Sequence, residues 1–235
     1  MDLIEKKGKT NNRHPWELSR LDCLSKEIRR YHIKGSILDV GCGDSFFDRN
    51  LLKKDLNISK LYGIDINLNK GIKTGIHNYY IVNSYDKLKG KKFDTIIMFD
   101  VLEHIDDNFF LKDKISLLLK DNGKVLITVP AFQFLFSNHD RFLKHYRRYN
   151  IRMIKKLCEE NNYKIVNYHY FYFSLFLFRV FFRNFANEIN DWKYSQNFLI
   201  TKLYRKLLNI DYRVCKLMNK LSIGLSLFVV LEKNL

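Results

Sequence analysis

Across residues 36–130 the chain alternates short apolar runs with longer amphipathic stretches. The runs fall at residues 37–40, 60–66, 80–85, 93–99 and 124–130 and are rich in Ile, Val, Tyr, Phe and Thr. Side chains of that kind suit a pleated surface, and short runs bounded by Gly, Asn or Asp read as strands. Between them, residues 46–54 and 109–119 repeat apolar positions at helical spacing, and Asp121-Asn122-Gly123 is expected to stop the second helix. Strand and helix in alternation predict right-handed β-α-β crossovers and a doubly wound, mostly parallel α/β sheet. A further helix is predicted over residues 14–31, with Pro15 near its first turn and Trp16, Leu18, Leu21 and Leu24 on one face. It either packs in front of the sheet or closes over what the sheet binds.

After Pro130 the pattern changes. A basic helix over 151–162 and a strand over 163–169 lead into an aromatic run punctuated by Arg, residues 170–183, and then a basic, mostly helical stretch, 184–220. Residues 225–231 read as the last strand. At 235 residues the chain suits one domain. Its parts would be an N-terminal helix or lid (1–35), a ligand-binding core (36–169), an aromatic and basic helical insertion (170–222) and the closing strand (223–235).

The first strand runs straight into Asp39-Val40-Gly41-Cys42-Gly43. Without Cβ atoms, two glycines let the chain turn sharply and let a ligand lie against the backbone. Strand, glycine turn and helix make the first unit of a nucleotide-binding sheet. A dinucleotide fingerprint needs a third glycine where Phe46 stands, and that side chain crowds a pyrophosphate. Asp39, inside the strand, either holds the turn or meets a cation. Asp65 follows Gly43 by 65 − 43 = 22 residues, which puts a carboxylate at the carboxyl edge of the neighbouring strand, placed to accept both hydroxyls of a ribose. The plainer role for it is a helix cap.

Leu38-Asp39-Val40-Gly41-Cys42-Gly43 resembles the first motif of the class I S-adenosylmethionine-dependent methyltransferases, and Asp100-Val101-Leu102-Glu103-His104-Ile105 resembles their fourth. The resemblance implies a Rossmann-like seven-stranded sheet with an antiparallel last strand. It implies S-adenosylmethionine as cofactor, leaving as S-adenosylhomocysteine. The methionine part would lie against Asp39, Gly41, Cys42 and Gly43, and the ribose on Asp65 beside Ile66. Ser84 or Asn83 stands where the family often offers an Asp to adenine, so adenine is expected to rest on backbone groups and stacking near Ser84 and Tyr85. Asp100, Val101 and His104 would face the methionine end or the acceptor, although His104 also reads as a hydrogen-bonded structural histidine. Glu103 and His104 suggest a divalent ion, but no third ligand has suitable spacing, so no metal is expected.

The loop after the fifth strand carries His139, Asp140, His145, Arg147, Arg148 and Tyr149. Two histidines, a carboxylate and an arginine pair are the parts needed to deprotonate an acceptor and hold an anion. Either His139 or His145 is the candidate base, with Asp140 orienting it. Arg147 and Arg148 are the candidate grip on a phosphate or carboxylate, and Trp16, His104 and Tyr149 complete the acceptor side. The blander reading makes His-x-Arg-Arg-Tyr a clamp on its own loop. With His14-Pro15-Trp16-Glu17 and Gly224-Leu225-Ser226-Leu227, the loop resembles a bacterial and archaeal subgroup associated with glycan and lipid-linked saccharide assembly. The resemblance implies a small-molecule or lipid-linked saccharide acceptor, methylated at a hydroxyl.

Charge adds one distinction. The net charge is +16, and residues 141–235 hold 18 Lys/Arg against 6 Asp/Glu, 18 − 6 = +12, so the other 140 residues carry +4. Base-composition bias accounts for a high Lys content but less well for this asymmetry, which points to an anionic partner for the C-terminal part. A nucleic-acid methyltransferase is the second reading, weakened because Asp100-Val101-Leu102 replaces the Asn/Asp-Pro-Pro-Tyr/Phe signature of amino-group DNA methyltransferases. A scaffold that binds S-adenosylmethionine without chemistry is the third. The run 170–183 is too short and too interrupted by Arg to span a bilayer, so it reads as a peripheral membrane contact, a channel for an apolar tail or simply a buried helix. The four cysteines form no C-x-x-C pair, and the polar N-terminus lacks a signal-peptide core, so a cytoplasmic protein is expected, with membrane-peripheral as the alternative.

Overall fold

The computed structural model describes residues 13–54, 56–68, 74–182, 197–217 and 223–234. Seven strands, β1 (Gly35–Val40), β2 (Ile58–Ile64), β3 (Tyr79–Val82), β4 (Phe93–Phe99), β5 (Leu119–Pro130), β6 (Tyr163–Phe171) and β7 (Ser226–Lys233), form one sheet in the order β3-β2-β1-β4-β5-β7-β6. The first five pair in parallel, and β7 runs antiparallel to both β5 and β6. This is the doubly wound sheet that the pattern predicts, with the antiparallel last strand that the resemblance implies. Its central strands carry buried residues in unbroken runs, Ile96-Ile97-Met98 and Val125-Leu126-Ile127, because helices cover both faces. The chain leaves β1 toward β2 and β3, then returns to β4 on the other side of β1. Open α/β sheets bind ligands outside the carboxyl ends of the strands at such a reversal.

Helices α1 (Pro15–Arg30), α2 (Phe46–Leu51), α3 (Ser116–Leu118), α4 (Asn138–Phe142), α5 (Ile151–Glu160), α6 (Phe173–Phe181) and α7 (Phe198–Leu217) complete the described residues. His14 starts α1, its Nδ1 accepting from the Trp16 N–H at 3.1 Å. The apolar face expected for α1 is only part of what it buries. Leu24 and Ile28 join the cluster around Ile37, Ile97 and Leu126, while Trp16 and Leu18 are only half-buried. Buried Glu17 and Arg20 pair with Arg13 and with Asp100 past the end of β4, while Ser19 and Glu27 are buried because α7 packs across the outer side of α1. There Arg205 donates two bonds to Asp22 at 2.7 and 2.8 Å, and Glu27 takes Tyr212 and Lys216.

Several boundaries differ from expectation for local reasons. The helix expected over 109–119 is a π turn, Leu111–Ile115, followed by the single turn of α3. Leu119 already pairs with Phe93, and Asp121-Asn122-Gly123 forms a bulge before Lys124 pairs with Thr95. β2 ends at Ile64, so Asp65 and Ile66 lie just beyond it. β6 runs on to Phe171, and Tyr172 (φ +63°) turns the chain into α6. No residue of α6 is buried, so it is not the interior helix that one reading of 170–183 proposed. Of the stretch 184–220, residues 184–196 and 218–220 lie outside the described residues, and α7 fills the rest after Asn197. No helix among the described residues is long and apolar enough to cross a membrane.

Candidate active site

A cavity of about 950 Å³ lies over the carboxyl ends of β1 and β4 and beneath α1. Its floor is the glycine turn. Gly41 (φ +74°) and Gly43 (φ +53°) adopt backbone that L side chains avoid, and a Cβ on Gly41 would lie 2.7 Å from Val101 Cγ2. The N–H groups of Gly41 and Cys42 donate to the Ile64 carbonyl at 2.7 and 3.1 Å, tying the turn to β2. Asp65 begins where β2 ends and is buried, yet it lines the cavity. Its Oδ2 accepts from the Gly43 N–H at 3.0 Å and its Oδ1 from the Asn67 N–H at 2.9 Å. A carboxylate has about four acceptor positions, so each oxygen keeps one for a ligand hydroxyl.

Among the described residues Asp39 meets a carboxyl group. It lies beside Asp48 of α2, and burial, then the Asp48 charge, pushes its pKa well above the usual carboxylate range. Burial raises Asp48 to about 6, against the Tyr79 hydroxyl that donates to it at 2.7 Å. Two buried carboxyls pressed together hold a shared proton, and here that pair braces the turn from below.

Over β4 the site is built by tertiary contacts. Asp100 (φ +58°) accepts from Thr128 Oγ1 at 3.2 Å and pairs with Arg20 of α1. Arg20 also stacks over Trp16, its guanidinium carbon 4.9 Å from the ring centre. Arg20 was not expected from the sequence as a site residue, and Glu103 was weighed only as a metal ligand, yet both line the cavity. The spacing of Trp16 and Arg20, four residues apart on one helix face, is the one local signal that could have found the arginine. Glu103 is 1% exposed, and burial, then the charge of Asp100, pushes its carboxyl well above the usual range. Among the described residues its Oε2 has no hydrogen-bond partner.

The acceptor-side loop resolves into a buried ion cluster. Asp140 is fully buried and closes a capping box at the start of α4, its Oδ2 accepting from Ser137 N and Oγ at 2.8 and 3.0 Å. His145 Nδ1 lies 2.9 Å from Oδ1, and Arg148 donates from Nε and Nη2 at 2.8 and 2.9 Å. Burial works to raise the Asp140 carboxyl, but the bonds from His145 and Arg148 and the charge of Arg148 hold it far below the usual range. His104 packs edge-on against His145 with ring centres 4.6 Å apart. Both arginines expected to grip an acceptor anion already have carboxylates of this chain: Arg148 has Asp140, and Arg147 has Asp106, with Asn108 at 3.1 Å. Tyr149 is buried with its hydroxyl on the Leu102 carbonyl at 3.0 Å. The clamp reading of His-x-Arg-Arg-Tyr is the one this geometry favours for Arg148 and Tyr149.

His139, His145, His104 and Trp16 line the cavity, as do Asp140, Arg148, Cys42, Ile66, Tyr85 and Val101. Gly43, Ser84, Arg147 and Tyr149 do not. Ser84 instead caps the short turn Tyr85–Leu88 by accepting from the Asp86 N–H at 3.2 Å. Glu103, His104 and His145 bring one ligand atom each within 4.8 Å of one another. The third donor that sequence spacing lacked is thus supplied from 145 − 104 = 41 residues away.

Residues 14–168 match the family model described as a methyltransferase domain. The chain belongs to that family. This methyltransferase domain is of class I, and its methyl donor is S-adenosylmethionine, which the positive-φ glycine turn at the cavity floor and the two-acceptor Asp65 fit. It is 29% identical over 119 residues to the ubiquinone biosynthesis O-methyltransferase of Pelagibacter ubique, covering 46% of this chain and 49% of that protein. It is 27% identical over 119 residues to the mitochondrial ubiquinone biosynthesis O-methyltransferase of Dictyostelium discoideum, covering 43% and 36%. The matches thus span about half or less of those relatives. Among solved structures, coclaurine N-methyltransferase bound to N-methylheliamine and S-adenosylhomocysteine superposes with a TM-score of 0.56 at 14% identity, over 97% of this chain and 73% of that one. Phosphoethanolamine N-methyltransferase 2 of Haemonchus contortus, in complex with S-adenosylmethionine, gives 0.51 at 17% identity, over 90% and 52%. At these identities the likeness is one of fold.

Proposed function

We propose that this methyltransferase acts in the cytoplasm on a hydroxyl of a small-molecule or lipid-linked saccharide acceptor, with His145 as general base. The observation that carries the reading is the His145–Asp140 pair at the cavity wall, 2.9 Å apart. With Nδ1 turned to a buried carboxylate that stays ionised, the free Nε2 is the acceptor nitrogen, as a base for a hydroxyl requires. The acceptor positions of Asp140 are taken by Ser137, His145 and Arg148, so of the two candidate histidines it orients His145. The curated relatives named as O-methyltransferases agree with a hydroxyl acceptor.

Roles follow for the other residues. Asp65 accepts the ribose hydroxyls, Gly41 and Cys42 leave room for the methionine part, Gly43 holds Asp65 through its N–H, and Asp39 with Asp48 stiffens the turn beneath it. Ile66 and Tyr85 bound the nucleoside side of the cavity. Asp100 and Val101 bound the methionine end, with Asp100 fixed by Arg20 so that α1 and Trp16 cover the site. S-adenosylmethionine, when bound, supplies a methyl group on a positively charged sulfur. The chain's own task is to hold the acceptor oxygen in line, remove its proton at His145 and keep water out.

The test is transfer of labelled methyl from S-adenosylmethionine to a panel of phenolic, sugar and lipid-linked hydroxyls. Label on a hydroxyl acceptor that disappears in His145→Ala supports the reading; label only on amines or nucleic acid sinks it. A second reading has one observation behind it. Glu103, His104 and His145 can hold a divalent ion, in which case Glu103 gives up its proton and a chelator abolishes turnover.

A further inference from the structure

We infer that the outward face of α7, together with the basic pocket at its C-terminal end, is a docking surface for an anionic lipid bilayer. Leu203, Leu207, Ile210, Val214 and Leu217 recur at spacings of four, three, four and three, which places them on one stripe. They are 45–86% exposed, while Leu208, Tyr212 and Cys215 on the opposite face are buried beneath the helix. Soluble proteins seldom expose so continuous an apolar strip without an occupant.

Charge selects the occupant. Lys202, Lys206 and Arg213 flank the stripe on one side, and among the described residues no carboxylate pairs with them. The cations that do find partners, Arg205 and Lys216, turn inward to Asp22 and Glu27. The only acid on α7, Asp211, is spent on the start of α6, accepting from the Ser174 N–H at 3.1 Å. A second copy of this chain would set unpaired cations against unpaired cations. An apolar stripe edged by free cations and lacking free acids matches an interfacial helix on anionic lipid.

A second feature on the same helix points the same way. Arg30, Asn167, His169, Arg213, Lys216 and Leu217 line a separate cavity of about 480 Å³. Arg213 and Leu217 border both this pocket and the stripe, and with Lys216 held by Glu27 a phosphodiester headgroup seated between Arg30 and Arg213 leaves its acyl chains toward the leucines. Phe178 of α6 is 47% exposed and also lines the active-site cavity, so the helical insertion supplies part of the cavity wall. The step from docking to acceptor, delivery of a lipid-linked hydroxyl from the bilayer, rests on the function proposed above; the docking itself does not.

Vesicle flotation with full-length protein decides it, using phosphatidylcholine vesicles with and without phosphatidylglycerol. The wild type is expected to float only with the anionic vesicles. Leu207→Glu with Val214→Glu, and separately Lys202→Glu with Lys206→Glu, should each weaken flotation by about tenfold or more. Lys155→Glu with Lys156→Glu on α5 makes the same charge change elsewhere and should leave it intact. Flotation unaffected by the stripe variant, equal flotation on neutral vesicles, absence of flotation, or a wild-type dimer that the stripe variant splits would each overturn the inference. Calorimetric titration with S-adenosylmethionine shows that each variant is folded. If the stripe variant fails that check, the lysine variant carries the test. Intact flotation without methyl transfer to any hydroxyl would fault the proposed function and leave the docking standing.

Discussion

His145 Nδ1 sits 2.9 Å from Oδ1 of Asp140, a carboxylate with no exposed surface that Arg148 also grips from the other side. The histidine is therefore positioned by an anion that cannot easily protonate, and its second nitrogen is left for the cavity. Replacing His145 by Ala should lower turnover by about 10²-fold or more, the usual share of a general base, with S-adenosylmethionine affinity unchanged. His139→Ala should cost little. Single-turnover transfer beside a binding titration checks both; a mild effect at His145 and a severe one at His139 would reverse the assignment.

Asp65 links the glycine turn to β2 through the Gly43 N–H while keeping acceptor positions for a ribose. Asp65→Ala removes charge-assisted hydrogen bonds to the ligand and loosens the turn, so affinity for S-adenosylmethionine should fall at least about tenfold. Asp65→Asn retains one acceptor and should fall between. Calorimetry on all three proteins reads the order directly, and unchanged affinity in the Ala variant removes the ribose role.

What the sequence shows here tracks how far apart the partners lie. Gly41, Gly43 and Asp65 fall within one β-α-β unit, so local spacing is enough to place them together. Arg20 and Asp100 are 100 − 20 = 80 residues apart, and nothing in either segment announces the other. Glu103, His104 and His145 meet because the loop after β5 folds back over β4, and a search for metal ligands by spacing alone misses the third. Arg147 and Arg148 fail the other way. Their sequence suggests an anion grip, but Asp106 and Asp140 reach them first. The π turn at Leu111–Ile115 and the bulge at Asp121–Gly123 were hidden because a helical repeat and a turn signal read the same whether the helix is regular or widened.

The Arg20–Asp100 pair fastens α1 across the end of β4, with Arg20 buried and Asp100 partly open. Arg20→Ala leaves Asp100 without its cation and opens the cavity roof. A stability loss of about 1–3 kcal/mol is expected, short of the larger cost of a fully buried pair because Asp100 can still reach water. The Michaelis constant for S-adenosylmethionine should rise with it. Adding Asp100→Asn should restore part of the stability but not the binding; if the double variant is no more stable than Arg20→Ala, the pair is not the fastening it looks to be.

His169 on β6 is buried with its Nε2 3.3 Å from the Tyr212 hydroxyl, among Phe171 and Phe228, with Glu27, Lys216 and Arg30 the nearby charges. Burial depresses it from 6.5 to about 4, outweighing the opposing pull of Glu27. Between those values the unfolded chain binds a proton that the folded chain refuses, so stability rises with pH across the window. The contribution is fully present above the unfolded value near 6.5 and is lost as pH falls toward 4, amounting to about 3 kcal/mol at most. His169→Phe keeps the aromatic packing and leaves the Tyr212 hydroxyl on Glu27. Its melting temperature should therefore fall less steeply than the wild type's between pH 6.5 and pH 4, while below that range the two curves run parallel. Identical slopes across the window would mean that His169 titrates normally in the folded protein and that water reaches it.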